Sequence, residues 1–199
     1  PTVLFVPIGI YQGKQAPTLW GTGVYAFSPP DLPNSTVELY PLDIEEVGPN
    51  TYWVLVGGLG VTHLYLLQVQ VTPNQYTYSA SNGTITDVPS LTVSMLYEIN
   101  FGGPGGYGSP TSAVMNGYDA LVGTANGYVV LVDLLSKKVL GYTQVSDQPL
   151  FTYTNLDPYD RPVAVVPFFP YDVNESDVIQ AFDVEAQGWK YITEAVTAS

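Results

Sequence analysis

Histidine and cysteine carry much of the metal and nucleophilic chemistry of proteins, and this chain has one histidine and no cysteine. His63 stands in GVTHLYLLQ, a segment with the composition of a strand. It could act as the general base of a Ser-His-Asp arrangement. The alternative is a polar residue on the outer face of an alternating strand. Zinc and copper centres would lack their preferred ligands, so the sequence predicts no cofactor and no metal site of this kind.

The segment DVNESD, Asp172 to Asp177, places oxygen ligands at its first, third and fifth positions, as a calcium loop does. Asp177 occupies the sixth position, where a calcium loop has glycine. Asn174 also belongs to a glycosylation sequon, and a glycan there would be incompatible with calcium. The alternative interpretation is an exposed acidic turn.

Paired carboxylates could catalyse glycoside hydrolysis if they faced each other across a cleft. The candidate pairs are Glu45-Glu46, Asp157/Asp160 and Asp183/Glu185. Neighbours on a strand point to opposite faces, so Glu45 and Glu46 would share a site only if the strand broke. The glycine-rich GGPGGYG lacks the helix and the Lys-Ser/Thr of a phosphate loop. The sequence predicts a protein that is not an enzyme, with an extracellular hydrolase as a remote alternative.

Three N-x-S/T sequons occur in turn-like sequence, at Asn34, Asn82 and Asn174. We expect covalent glycans at these positions. The chain begins at Pro1 rather than methionine, which favours removal of a leader. Together these features predict an extracellular or cell-surface protein.

The charge balance excludes some partners. Eighteen acidic residues against five basic ones give a net charge of −13, which repels nucleic acid and anionic membrane surfaces. The longest weakly charged region, residues 47 to 86, is interrupted by Pro, Gly, Asn and Gln, so we expect no membrane insertion.

The elements that would position these residues are strands. Seventeen prolines and nineteen glycines punctuate short runs of Val, Ile, Leu, Tyr and Thr, which is typical of strands joined by turns. In ALVGTANGYVVLVDLLSKKVLGYT, residues 120 to 143, turns at Asn126-Gly127 and at Ser136-Lys137 separate three strands. We expect Asp133 to accept turn amides.

The same three-strand order recurs in VLFVPIGI/WGTGVYAFS/STVELYPLD, in TYWVLVGG/HLYLLQVQV/QYTYSAS and in PVAVVPFF/SDVIQAFDV/WKYITEA. The segments DIEEV, SLTVSMLYEI and PLFTYTN are candidate fourth strands ahead of their units. This repetition predicts an all-β, four-bladed β-propeller of antiparallel sheets in one domain. Its blades would span about 1–43, 44–81, 90–145 and 148–199, around central strands at 24–27, 65–69, 129–132 and 179–182. The alternative is a β-sandwich. We expect strand in more than about 40% of the chain and almost no helix.

Residues 120 to 143 resemble one blade of the quinoprotein-like β-propellers. The matching residues are Gly123, Gly127, Asp133 and the Lys137-Lys138 turn. The blade lacks the tryptophan that often ends such a repeat, and Tyr142 stands nearby. The resemblance implies a fold and no quinone cofactor.

Few charges and sixteen tyrosines predict a surface of amphipathic rings and hydroxyls, suited to protein contacts and sugar stacking. In character the chain is similar to extracellular sheath and thread proteins of microbes from harsh habitats, archaeal ones in particular. We therefore expect a structural subunit of a secreted, glycosylated filament, tube or surface layer that assembles with copies of itself. A carbohydrate-binding propeller lectin is the alternative.

The first segment, PTVLFVPIGI, is almost wholly apolar and would promote aggregation if it were exposed. It must pair within its own ring, or with a neighbouring copy by strand addition. Further contacts are expected in the Gly102 to Gly108 loop. The predicted interface residues are Val3, Leu4, Phe5, Val6, Tyr107 and Tyr159.

Overall fold

The computed structural model of the protein describes residues 1–18, 23–30, 32, 37–102, 106–144, 154–156, 162–166, 177–183 and 188–196. Within these ranges the chain is all β, with sixteen strands and no helix, and every strand pair is antiparallel. Strands cover more than half of the chain, so the predicted class and strand content are confirmed. The strands are β1 (Val3–Phe5), β2 (Ile8–Tyr11), β3 (Lys14–Pro17), β4 (Tyr25–Phe27), β5 (Tyr40–Gly48), β6 (Thr51–Gly57), β7 (His63–Ala80), β8 (Gly83–Asn100), β9 (Pro110–Asn116), β10 (Asp119–Thr124), β11 (Tyr128–Asp133), β12 (Lys138–Gln144), β13 (Thr154–Leu156), β14 (Pro162–Val166), β15 (Asp177–Asp183) and β16 (Gly188–Val196).

The strands form four sheets. Strands β1 and β4 make a two-stranded ribbon, and the large sheet has the order β3-β2-β8-β7-β6-β5. The middle sheet has the order β12-β11-β10-β9, and the last sheet the order β13-β14-β15-β16. Strands that follow one another in the chain are neighbours throughout the middle and last sheets.

The large sheet is buried on both faces over its central part, which explains its almost continuous apolar runs. Leu55, Leu64 and Leu66 pack against the middle sheet in one hydrophobic cluster. Residues of opposite parity, such as Val56 and Leu67, pack on the other face beneath the ribbon. Because successive side chains of a strand point to opposite faces, the strands of the large sheet contribute to two separate cores.

The middle sheet is also buried on both faces. Val122 and Val130 face the large sheet, and Leu121 and Leu131, one position along each strand, point the other way and are fully buried. Strands β13 and β14 of the last sheet lie against β9 and β10. The ribbon thus lies against the large sheet, the large sheet against the middle sheet, and the middle sheet against the last sheet. Stacked sheets occur in both predicted arrangements, and the closed four-bladed ring stays a prediction.

All four predicted central segments lie in strands, except that Val24 precedes β4. Strands β7, β11 and β15 each have a neighbour on both sides, whereas β4 pairs only with β1 among the described residues. DIEEV lies in β5, at the edge of the large sheet as expected. PLFTYTN contributes its last two residues to β13, and the rest of it lies outside the described residues.

Several strand predictions are wrong. VLFVPIGI was expected to be one strand but divides into β1 of the ribbon and β2 of the large sheet. STVELYPLD was expected in the first unit, but its residues 40–43 lie in β5 of the large sheet, and SLTVSMLYEI was expected ahead of the third unit, where β9 stands instead.

QYTYSAS was expected to turn back as the outer strand of the second unit, but most of it continues β7. SLTVSMLYEI takes that outer place as part of β8. The chain passes Pro73 and Asn74 as an irregularity in the ladder, with Asn74 at φ 56°, and reverses only at Ser81-Asn82. Strands β2 and β3 then add to the far part of β8 instead of to the ribbon.

Candidate functional site

The first strand pairs within its own chain. Strand β1 runs antiparallel to β4 through three residue pairs, one of which is Val3 opposite Phe27. Val3 is buried, Leu4 is 57% exposed, and Phe5 and Val6 are half-buried. Of the four predicted interface residues in this segment, Val3 therefore contributes most to the core and Leu4 most to the surface.

The ribbon covers the outer face of the large sheet. Val3 and Phe27 close the cluster that contains Val56 and Leu67, and the ring of Phe27 lies 5.9 Å from that of buried Tyr65. Within the described residues no third strand joins the ribbon. Edge strands of a two-stranded ribbon can in general pair with a further strand.

The chain is anchored directly after β1. The backbone N–H and the hydroxyl of buried Thr18 both donate to the carbonyl of Pro7, each at 3.0 Å. Pro7 has no N–H of its own and is restricted in φ. These bonds hold the start of the β2–β3 hairpin through contacts that do not involve β1.

Asn82 is exposed in the turn between β7 and β8. The Tyr11 hydroxyl donates to the Asn82 carbonyl at 2.7 Å, and the Tyr11 ring packs against Gly83, the middle residue of the sequon. Thr84 is exposed as well. This predicted site is therefore an accessible turn whose backbone is fixed by the neighbouring hairpin. Asn34, Asn174 and Tyr159 lie outside the described residues.

Tyr107 was expected to be exposed and is half-buried. Its ring lies 5.5 Å from Phe101, 5.7 Å from Tyr128 and 5.0 Å from Tyr142. Burial, and then the neighbouring Tyr142 and Tyr128 phenols, raise the pKa of Tyr107. Around it, Phe101 O accepts hydrogen bonds from the N–H groups of Tyr107 and Gly108. The outer ring of this cluster is Tyr142, at 57% exposed.

Asp133 accepts turn amides, as predicted. Its carboxylate accepts hydrogen bonds from the Leu135 and Ser136 N–H groups and from the Ser136 hydroxyl at 2.8 Å. The Ser136 hydroxyl is the main reason why the pKa of Asp133 is lowered. Directly opposite on β10, burial and then the Asp133 charge raise the pKa of Asp119. The carboxylate of Asp133 thus stabilises the β11–β12 turn.

Tyr97 ties the large sheet to that turn. Its hydroxyl donates to the Leu134 carbonyl, and the Lys137 ammonium lies 5.0 Å from the centre of its ring. Burial, and then Asp133, raise the pKa of Tyr97 to about 12. The phenol is therefore a neutral donor at ordinary pH.

Of the remaining candidates, His63, Glu45 and Glu46 lie in the described part of the chain, whereas Asp157, Asp160, Glu185 and residues 172–176 lie outside it. His63 is half-buried, with Nδ1 2.9 Å from the Thr62 hydroxyl and its ring 6.1 Å from that of Tyr65. Glu45 and Glu46 pair with successive residues of β6, so their side chains point to opposite faces, as expected. Across the described part of the chain, no three His, Cys, Asp or Glu side chains come close enough to hold a metal ion. Nor does that part contain a helix long and apolar enough to cross a membrane.

Sequence reasoning missed one surface feature, a contact between Trp53 of the large sheet and Tyr118 of the middle sheet. The two ring centres are 5.4 Å apart. No local motif around Trp53 or Tyr118 predicts this contact, because it depends on how two separate parts of the fold face each other. Comparison with known proteins found no family profile and no curated protein that matches the chain.

Proposed function

We propose that the chain is a structural subunit of a secreted, glycosylated filament, tube or surface layer, which assembles with copies of itself and without catalysis. The observation that supports this most is the ribbon. An apolar strand held by three residue pairs fills a place in the core beside an anchored connection. A short swappable element of this kind is a low-cost route to assembly.

In the assembly, β1 of one copy lies against β4 of the next. Val3 then fills the same apolar site in the neighbour that it fills in its own chain, so most of the contacts are conserved in the exchange. The cost is confined to the one residue between β1 and Pro7, the half-buried Val6. Each copy gives one strand and receives one from a different copy, so the contact is head-to-tail and not reciprocal, and it produces a ring or an open filament.

The exposed faces of the ribbon and of the middle-sheet edge add contact area. Leu4 on the exchanged strand and Ile8 shortly after it are both more than half exposed, and Tyr142 stands on the edge strand β12. Aromatic side chains are favoured in the buried parts of protein interfaces. The acidic surface, with a net charge of −13, keeps the free subunit soluble.

Glycans cover the surfaces that do not take part in assembly. We expect Asn82 to carry one, since its turn is exposed and its backbone is fixed by Tyr11. Mass spectrometry of chymotryptic peptides from native material should find the Asn82 peptide heavier by a glycan. Thr84→Ala should remove the glycan and Thr84→Ser, which preserves the sequon, should retain it. An unmodified Asn82 peptide in native material would contradict this expectation.

Negative-stain electron microscopy of the purified full chain tests the proposed function. We expect filaments, tubes or sheets of regular repeat that grow with protein concentration. A uniform population of single particles at every concentration would contradict the proposal.

A further inference from the structure

A row of chemically different side chains crosses the large sheet just beyond the core that it shares with the middle sheet. Glu45 on β5 pairs in register with Trp53 on β6. Trp53 pairs with Gln68 on β7, and Gln68 pairs with Ser94 on β8. Side chains directly opposite in antiparallel strands project from the same face. A carboxylate, an indole, an amide and a hydroxyl therefore lie side by side.

Tyr118 stands over this row. It belongs to the turn between β9 and β10, and its carbonyl accepts a hydrogen bond of 2.7 Å from the Leu134 N–H, which fixes the turn. The Tyr118 ring is inclined by 57° to that of Trp53 and is 47% exposed. The half-buried indole and the exposed phenol thus enclose an aromatic corner that opens to solvent.

The polar groups beside the corner are held in position. The Trp53 Nε1–H donates to Gln68 Oε1 at 3.3 Å, which orients the amide and leaves its NH₂ group as a donor. Glu45 and Ser94 are both exposed on either side of this pair. The row offers hydrogen-bond acceptors and donors within a few ångströms of an aromatic ring.

We propose that this corner binds a hexopyranose unit of a neutral polysaccharide. The apolar C–H face of a sugar ring packs on an aromatic side chain, while its hydroxyls need both donors and acceptors at the rim. The corner supplies both. An anionic ligand would meet the Glu45 carboxylate and the net negative charge of the chain. The corner is separate from the ribbon, so sugar binding there does not depend on strand exchange. Carbohydrate binding is thereby assigned to one defined part of the surface.

The test is saturation-transfer NMR of maltotriose, cellotriose and mannotriose with the full chain. We use about 10 mM sugar because contacts of this size give weak affinities. At least one of the three should receive saturation from the protein. Tyr118→Ala should weaken its binding about fivefold or more, since it removes one aromatic partner from the corner. The substitution lies in an exposed turn, and circular dichroism verifies that the variant is folded.

Tyr76→Ala is the matched control, because Tyr76 is also 47% exposed but lies on the far part of β7. It should bind the same sugar as the unchanged protein does. Failure of all three sugars to bind would overturn the proposal. So would equal binding by the Tyr118→Ala and Tyr76→Ala variants.

Discussion

Gly58→Ala should cost the protein about 4 kcal/mol of its free energy of unfolding, or prevent folding altogether. A Cβ atom at Gly58 would lie 1.7 Å from the backbone oxygen of Glu38, a group that cannot swing aside as a flexible side chain would. The backbone there has φ 154°, and its N–H donates to the Pro110 carbonyl at 2.8 Å. The segment before β5 and the start of β9 thus both converge on this glycine. Urea denaturation measures the loss.

Gly13→Ala is the control for this change. Gly13 also has a positive φ, of 77°, but among the described residues no atom beyond its two chain neighbours lies within 4 Å of a Cβ built there. The cost should be about 1 kcal/mol, from backbone strain alone. Equal stability of the Gly58→Ala and Gly13→Ala variants would show that residue 58 is not packed as described.

Deletion of residues 1–6 should abolish assembly and leave a folded monomer. The deletion removes Val3 from the cluster beneath the ribbon, at about 2 kcal/mol for one buried valine, but it leaves intact the core between the large and middle sheets. A synthetic peptide of residues 1–6 should bind to the truncated chain, since the place beside β4 is then vacant. Light scattering measures assembly, and fluorescence anisotropy of a labelled peptide measures binding.

Leu4→Ser is the control within the same strand, because the Leu4 side chain is exposed and outside the core. It should weaken assembly without abolishing it, because Val3 and the backbone pairing of β1 are retained. Complete unfolding of the truncated chain would indicate that β1 serves only to close its own fold. Unchanged assembly after the deletion would show that β1 is not the contact between copies.

Those parts of the fold that depend on local chemistry could be predicted from the sequence. The Asn126-Gly127 turn, the apolar runs on either side of it and the Asp133 turn are all determined within about 25 residues, and the structure has them where expected. Pairing of the apolar first segment with another strand could also be predicted, because an exposed strand of that composition would promote aggregation. Local patterning was sufficient for the class and for strands β10, β11 and β12 of the middle sheet. Its fourth strand, β9, was not predicted.

The large sheet was less predictable because two competing turn signals lie close together. Pro73-Asn74 and Ser81-Asn82 both favour chain reversal, and only long-range pairing decides between them. Strand β8 pairs with β7 both before and after the irregularity at Asn74. Strand β2 then pairs with the part of β8 near Thr86. The Trp53–Tyr118 corner depends in turn on which sheets face each other. Neither outcome is encoded in any short window of the sequence.

The central claim, that β1 of one copy lies against β4 of another, is tested most directly by disulfide trapping in this cysteine-free chain. Leu4 and Ala26 lie directly opposite each other in the ribbon, and both are exposed. Cysteines at two such positions are close enough to form a disulfide. One protein carries Leu4→Cys and another carries Ala26→Cys; they are mixed, assembled, oxidised and separated on a denaturing gel. Strand exchange predicts a cross-linked dimer of the two variants, and a ladder of oligomers from the doubly substituted chain. No heterodimer from the mixture, with only internally bridged monomers from the doubly substituted chain, would contradict it.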